Sequence, residues 1–139
     1  MTLELVPLVT MEVTLTEPIV VGDGPAGTRM IIEVESAEVT GDRVKGSMKG
    51  HAAADWLTVN GSVGTLDVRI TFETHDGALI YSQYAGRTDV SNGPGGAPIY
   101  VAPTFETGDE RYLWLNTVQA VGKGDLSGPN LSYEWYEVR

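Results

Sequence analysis

The sequence predicts an all-β protein, a single closed antiparallel β-barrel of about eight to nine strands, with at most a short helical turn near residues 109–114. Two observations support this fold class. Apolar and polar residues alternate along several short segments, and clusters of Gly, Pro, Asn and Asp separate those segments. Strands spaced in this way form a sandwich or a barrel, and closure into a barrel leaves no unpaired edge strand.

Size and composition fit one domain that covers residues 1–139. A chain of 139 residues with 42% hydrophobic residues can bury one core, and its 17 glycines and 7 prolines follow no repeat. Because there are no cysteines, disulfides, thiolate metal sites and a cysteine nucleophile are excluded.

Charge and hydropathy argue against several partners. The formal net charge is −10, and only nine Lys and Arg residues are spread along the chain, so contacts to nucleic-acid phosphates are not expected. No apolar run is long enough to span a membrane, and the N-terminal segment lacks the basic and apolar regions of a signal peptide. We therefore expect a cytoplasmic protein without nucleic-acid or membrane partners.

The clearest element is a β-hairpin at residues 65–87. Every second residue from 66 to 72 is apolar, and an Asp-Gly pair at 76–77 accepts the positive φ angles of a tight turn. The Asn-Gly pair at 60–61 predicts a type I′ turn just before this hairpin.

The segments before the hairpin follow the same pattern. Residues 3–15 alternate and predict a long half-buried strand, in which Pro7 requires an edge, a bulge or a break. Residues 22–27 are rich in Gly and Pro and predict an irregular loop. Further strands are predicted at 29–38, 43–48 and 57–59.

The C-terminal third begins with a loop. Residues 88–98 have no apolar periodicity, and a loop of this length is a candidate lid. Residues 99–105 predict a strand, after which Thr107 or Asp109 is placed to cap one helical turn. The remainder is predicted as an extended segment at 116–122, a loop at 123–130 and an aromatic-rich strand at 131–138.

Four motifs in sequence order resemble one bacterial family. They are Gly-Thr-Arg at 27–29, Ala-Asp-Trp at 54–56, His-Asp-Gly-Ala-Leu-Ile-Tyr at 75–81 with Gly-Arg at 86–87, and Phe-Glu-Thr-Gly-Asp-Glu-Arg-Tyr-Leu-Trp-Leu-Asn at 105–116. Together they are similar to the family catalogued as domain of unknown function 3237, whose members are small calycin-like β-barrels. The resemblance implies a calycin-like barrel and implies no particular activity.

The chain departs from that family at two places. It has Ser-Ala at 36–37 and Ala-Ala at 52–53, where the family tends to have Gly-Gly pairs. If those glycines let a ligand approach closely in relatives, the added methyl groups reshape the pocket of this chain.

Asp55 and Trp56 are the first candidates for chemistry. A carboxylate beside an indole, after a run of alanines, has the composition of a general base whose pKa an apolar wall raises. The alternative is that Asp55 caps a turn through local backbone hydrogen bonds and that Trp56 fills the core. We predict Asp55 as a catalytic base and Trp56 as a substrate-binding residue.

A second group combines aromatic rings with one amide. Rings with polar tips bind flat organic ligands well, although they also pack in ordinary cores. We predict that Tyr81 or Asn116 steadies an oxyanion that develops during catalysis. Substrate-binding roles are predicted for Tyr100, Tyr112 and Trp114.

Three arginines are predicted to take part in binding. Arg29 and Arg87 offer a cation to a carboxylate or enolate ligand, or else pair with nearby acids as structural residues. Arg69 shares one strand face with Asp67 and Glu73. That face either lines a charged lumen or forms the solvated outside of the barrel.

No metal or cofactor is predicted. His51 and His75 are the only histidines, and they lack the spacing of a metal site, although a His51–Asp55 acid–base pair stays open. The glycine-rich residues 22–27 lack the Lys and Ser or Thr of a phosphate-binding loop, and no Gly-x-Ser-x-Gly hydrolase motif is present.

The functional prediction is a small-molecule-binding barrel. A barrel of eight strands leaves room for one small ligand, and we expect an aromatic or polyketide-like molecule. Acid–base chemistry in the lumen, without a cofactor, would make the protein an isomerase, cyclase or lyase. One alternative is a noncatalytic carrier. Another is an assembly module with a filled core, which forms a homodimer through an exposed aromatic face at Tyr133, Trp135 and Tyr136.

Overall fold

The computed structural model describes residues 1–139 as eleven β-strands and one 3₁₀ helix, Glu110–Thr117, which lies between β9 and β10. The strands are β1 Leu5–Leu15, β2 Ile19–Gly24, β3 Gly27–Thr40, β4 Lys45–Met48, β5 Ala54–Asn60, β6 Val63–Thr74, β7 Leu79–Asp89, β8 Ile99–Val101, β9 Thr104–Glu106, β10 Ala120–Ser127 and β11 Asn130–Val138.

The strands close into one antiparallel barrel. β1 pairs with β3 on one side and with β11 on the other, and the sheet continues through β10, β8, β7, β6 and β5 back to β3. At two positions around the barrel, two short strands lie end to end and together act as one. β4 and β5 do so between β3 and β6, and β8 and β9 do so along β7. The barrel thus has eight strand positions, which confirms the predicted fold class.

The core lies inside the barrel because the strands alternate. In β6, the apolar residues from Leu66 to Phe72 are at most 5% exposed, while Glu73 on the other face pairs with Lys49 at 3.5 Å. Each such buried aliphatic or aromatic side chain contributes roughly 1.5–3 kcal/mol. Arg69 is exposed and Glu73 is partly exposed, so the charged face of β6 is the outside of the barrel and not its lumen.

The 3₁₀ helix covers one end of the barrel. Asp109 caps it by accepting a hydrogen bond from the Arg111 N–H at 3.0 Å, as predicted, and the helix continues beyond residue 114 to Thr117. Tyr112 and Leu115 are the buried residues of this helix. The void around Leu115 measures only about 20 Å³, so this end of the barrel is filled. No helix has the length and apolar content to cross a membrane.

Residues 22–27 form the tight end of a β-hairpin, so the predicted irregular loop is wrong. β2 pairs with the first half of β3, and Gly24 lies opposite Gly27. Gly22 and Gly27 have φ angles of +106° and +104°, which glycine adopts without steric cost. The glycines that suggested a loop therefore make a bulge and a turn within the sheet.

Residues 123–130, predicted as a loop, lie mainly in β10. Gly122 and Gly124 of this strand face Trp135 and Tyr133 of β11, and a Cβ at either glycine would collide with the opposite ring. The two rings occupy the space that side chains of β10 would otherwise fill. For that reason β10 shows no apolar alternation in its sequence.

Smaller differences concern turns and breaks. The turn between β5 and β6 is Gly61-Ser62 with positive φ only at Gly61, as in type II′ and not type I′. The strand predicted at 99–105 is interrupted at Ala102-Pro103. The pairing of β1 with β11 shifts between Pro7 and Val9, which confirms the predicted irregularity at Pro7.

Candidate functional site

The middle of the lumen is crossed by four aromatic rings that pack against one another. Their centroids lie 5.1 to 6.1 Å apart, in edge-to-face or tilted arrangements. Such packing is worth about 0.5–1.5 kcal/mol per pair beyond the area that it buries. We call this group the aromatic floor, and it consists of Tyr84, Phe105, Tyr133 and Trp135.

The lumen beyond the aromatic floor ends in half-buried side chains. At the end opposite the 3₁₀ helix, Leu15, Leu57 and Leu126 are only partly buried against the core. Met30, which lies opposite Leu57, is also partly exposed. We call this the open end of the barrel, because the 3₁₀ helix covers the other end, and these four side chains are apolar.

Asp55 faces the lumen from β5, beside the aromatic floor. It lies directly opposite Val68 in β6, and Val68 lies directly opposite Tyr84 in β7. Residues opposite each other in antiparallel strands share one face of the sheet. Val68 is 3% exposed and Tyr84 is 4% exposed, so the face that the three residues share is the inner one.

The backbone fixes the orientation of the Asp55 carboxylate. Its Oδ1 accepts a hydrogen bond from the Asp67 N–H at 3.0 Å, between two regularly paired parts of β5 and β6. This bond crosses from β6 to β5, so it is not the local turn cap that the sequence left open as an alternative to chemistry. It occupies Oδ1 of the carboxylate.

Burial raises the pKa of Asp55 from 3.8 to about 7. The hydrogen bond from the Asp67 N–H lowers the pKa, the Asp67 charge raises it, and the Arg29 charge lowers it, each by less than burial raises it. A carboxyl group that titrates near neutral pH can both accept and donate a proton.

Tyr84 and Tyr133 share this environment. Burial raises the pKa of both phenols. At Tyr84 the charges of Tyr133 and Asp55 raise the pKa further, and at Tyr133 the charge of Asp55 does so. The three side chains therefore interact electrostatically across the lumen, from β5, β7 and β11. We call Asp55, Tyr84 and Tyr133 the Asp55 cluster.

Two polar atoms of the aromatic floor have no hydrogen-bond partner. The Tyr133 hydroxyl and the Trp135 Nε1 are both buried and unpaired, in residues that are 2% and 1% exposed. An unpaired buried donor costs about 1–3 kcal/mol. A ligand oxygen that accepts a hydrogen bond from Tyr133 would remove that cost.

Tyr81 and Asn116, predicted to steady an oxyanion, lie outside the barrel. They line an open groove of about 540 Å³ beside the 3₁₀ helix. Tyr81 donates a hydrogen bond to Gln83, and the Asn116 amide makes two hydrogen bonds with the Thr107 backbone. The structure does not bring them to Asp55, because odd-numbered residues of β7 face outward.

Tyr112 and Trp114, predicted to bind substrate, belong to the covered end. The Tyr112 hydroxyl donates to the Asp76 carboxylate at 2.9 Å and anchors the 3₁₀ helix to the turn between β6 and β7. Trp114 packs against the core, and the Arg43 guanidinium lies 4.6 Å from its ring centroid. These contacts close the barrel and leave both residues away from Asp55.

Arg29, Trp56 and Arg69 lie on the outer surface close to Asp55. Arg29 donates a hydrogen bond to the Trp56 carbonyl at 2.8 Å, and the Arg69 guanidinium lies 5.7 Å from the Trp56 ring centroid. Trp56 is 37% exposed, so it does not fill the core. Of the three, only Arg29 affects Asp55, through its charge.

Arg87 and Tyr100 form a separate outer surface on β7 and β8. They lie opposite each other, and Tyr100 is 55% exposed, with Lys123 lying 6.0 Å from its ring. His51 is exposed and makes no hydrogen bond to Asp55. No three His, Asp or Glu side chains come together in a way that would hold a metal ion.

Sequence reasoning missed Tyr84 and misplaced Tyr133 and Trp135. Both of the latter are interior, so the exposed aromatic face proposed for a homodimer does not exist, and only Tyr136 of that set has its hydroxyl outside, bonded to Glu134. The alternation of residues 131–135 could have predicted that Tyr133 and Trp135 face inward. Apolar Leu131, Tyr133 and Trp135 alternate with polar neighbours, as in any half-buried strand.

A sequence model of the family described as protein of unknown function (DUF3237) matches residues 3–138. The chain belongs to this family. A curated relative from Bradyrhizobium diazoefficiens, named as a UPF0311 protein, is 30% identical over 122 residues, which cover 76% of this chain and 77% of the relative. The resemblance drawn from the four sequence motifs is thus confirmed.

Solved structures similar to this DUF3237 protein share its barrel. A β-barrel-like protein from Acinetobacter baumannii has a TM-score of 0.89 and 29% identity, over 99% of this chain and 97% of its own. A conserved protein of unknown function from Rhodopseudomonas palustris has a TM-score of 0.89 and 25% identity, over 99% of each chain. An enzyme from Penicillium herquei has a TM-score of 0.70 and 22% identity, over 98% of this chain and 93% of its own. This likeness shows the fold alone.

Proposed function

We propose that this DUF3237 protein binds a small organic molecule at the open end of its lumen, against the Asp55 cluster, and that Asp55 exchanges a proton with it. One observation carries the proposal. A carboxyl group with a pKa of about 7, oriented by a backbone amide, shares the lumen with a buried hydroxyl that has no partner. A perturbed pKa in a concave, partly apolar site is typical of a functional group.

The surroundings favour an aromatic or polyketide-like ligand. The partly buried side chains at the open end are apolar, and the aromatic floor lies beneath them, a combination that suits a flat molecule. Proton transfer by one carboxyl group needs no cofactor and suits an isomerase, a cyclase or a lyase. Tyr84 and Tyr133 take the oxyanion-stabilising role that the sequence suggested for Tyr81 and Asn116.

Native mass spectrometry of the purified protein, compared with its denatured mass, tests binding. A co-purified organic molecule that Tyr133→Phe or Asp55→Asn loses supports the lumen site. If the molecule is instead retained by both variants and lost on substitution of Tyr81 in the outer groove, the proposed site is wrong.

Asp55→Asn then separates an enzyme from a noncatalytic carrier. In an enzyme, this variant loses turnover of the identified molecule by about 10² or more, the usual contribution of a general base. In a carrier, no turnover is seen in the wild type and affinity survives the substitution. Asp125→Asn is the matched control, because Asp125 is an exposed carboxylate on the outer face of β10.

A further inference from the structure

We infer that the molecule taken up beside Asp55 is a neutral, flat, enolisable ketone, whose carbonyl oxygen accepts a hydrogen bond from Tyr133 and whose adjacent carbon gives up a proton to Asp55. The inference rests on the proposed function and names its substrate class.

The charges around Asp55 favour a neutral ligand. The groups whose charges act on Asp55, or on which its charge acts, are Asp67 from the outer face of β6, Tyr84 from β7, Tyr133 from β11 and Arg29 from the outer side of β3. The Arg29 guanidinium is already bonded to the Trp56 carbonyl. A carboxylate or phosphate inside the lumen would therefore lack a cation, and burying an unpaired anion is costly. This argues against the carboxylate ligand that the sequence left open.

The Tyr133 hydroxyl favours a carbonyl oxygen as its partner. Its raised pKa keeps the phenol protonated at neutral pH, so that it acts as a hydrogen-bond donor. The ring lies so close to Gly124 that a Cβ there would collide with it, and it packs edge-on to Tyr84 with a centroid separation of 6.1 Å. The donor is therefore held in one position, as an oxyanion-stabilising group must be.

The Asp55 carboxylate supplies the matching base. Oδ1 is held by the Asp67 N–H, which leaves Oδ2 to meet a proton of the ligand. Val68, which is 3% exposed, lies directly opposite Asp55 and gives the base an apolar neighbour. A ketone placed between Tyr133 and Asp55 presents its oxygen to one residue and its adjacent carbon to the other.

The step conserves atoms and electrons. Asp55 accepts the proton of the carbon next to the carbonyl, and the electron pair of that C–H bond becomes the new C=C bond. The carbonyl π pair moves to oxygen, where the hydrogen bond from Tyr133 stabilises the enolate charge. Protonated Asp55 then returns the proton, either to the same carbon, which gives exchange, or to another position of a conjugated system, which gives an isomer.

The probe for this step is 2-tetralone, a flat bicyclic ketone, and the reaction is exchange of its α-protons in deuterated buffer, followed by proton NMR. Its enol has the shape of 2-naphthol, whose fluorescence reports binding, and naphthalene has the same rings without oxygen. We expect the wild type to accelerate exchange above the buffer rate. We also expect it to bind 2-naphthol at least about tenfold more tightly than naphthalene, because only the former pairs with Tyr133.

Two substitutions and two matched controls assign the roles. Asp55→Asn and Tyr133→Phe should each lower the exchange rate by about 10² or more, as general bases and oxyanion donors do. Tyr136→Phe removes a hydroxyl from the outer face of the same strand, and Asp125→Asn removes an exposed charge. Both controls should exchange within about twofold of the wild type. Thermal unfolding of each variant verifies that it is folded.

The outcomes separate this inference from the proposed function. If 2-naphthol and naphthalene both bind in the lumen but no exchange above the buffer rate occurs, the enolisation inference is overturned while ligand binding stands. If exchange is accelerated equally in Asp55→Asn, the base is another group and the inference also fails. If no probe binds and native mass spectrometry shows an empty protein, both are contradicted.

Discussion

Asp55 is a carboxyl group kept where its charge is unfavourable. Its burial raises the pKa to about 7, and each pKa unit corresponds to about 1.4 kcal/mol. The folded chain therefore loses free energy when Asp55 ionises, and an apolar or amide side chain would avoid that loss. Residues that reduce stability in this way occur most often at functional sites, where activity compensates for them.

The pH dependence of stability follows from this pKa. Asp55 titrates at about 7 when folded and near 3.8 when unfolded, so between these values the folded state binds more protons. The free energy of unfolding should therefore fall as the pH rises from 3.8 to about 7 and should level off above that pH. Asp55→Asn should remove this decline and be more stable than the wild type at pH 8 by about 2–4 kcal/mol, as an upper range for a partly buried group.

Urea unfolding of both proteins at several pH values measures the effect. The difference between them isolates Asp55 from every other titrating group, and Asp125→Asn, an exposed carboxylate on β10, controls for net charge. A difference that does not change with pH would mean that Asp55 is ionised and well solvated in the folded protein.

The inward side of β10 is filled by side chains of the neighbouring strand β11. Its inward positions Gly122 and Gly124 carry no side chain, while the residues opposite them in β11 are Trp135 and Tyr133. Close packing of this kind tolerates little added volume. The aromatic floor therefore depends on glycines in a neighbouring strand as much as on its own rings.

Gly122→Ala tests this dependence. The added methyl group would overlap the Trp135 ring, so we expect a loss of about 1–3 kcal/mol in the free energy of unfolding, as for other overpacked cores. Gly108→Ala is the matched control, because Gly108 has open space around its Cβ position and no positive φ. Equal stability of the two variants in urea would contradict the packing described for β10 and β11.

The barrel was predictable from the sequence to the extent that its strands alternate. The sequences of β6 and β7 alternate clearly and include a turn signal. The sequence of β10 does not alternate, because two of its inward residues are glycines. The same limit applies to the site. Asp55 was predictable from its neighbours in the chain, but its partners come from β7 and β11, and only the register of the closed barrel decides which tyrosines face inward.

At the scale of the whole molecule there are two candidate ligand sites, the open end of the lumen and the groove beside the 3₁₀ helix, and we propose the first. The six tyrosines distinguish them. Two lie in the lumen, two near the helix and two on the outer surface, namely Tyr84 and Tyr133, Tyr81 and Tyr112, and Tyr100 and Tyr136.

The most direct measurement is NMR of protein labelled in its tyrosine rings, titrated with 2-naphthol and assigned with single Tyr→Phe variants. We predict that the signals of Tyr84 and Tyr133 change and that those of the other four tyrosines stay where they were. Changes at Tyr81 and Tyr112, with Tyr84 and Tyr133 unaffected, would place the ligand in the outer groove and contradict the assignment of the lumen beside Asp55 as the binding site.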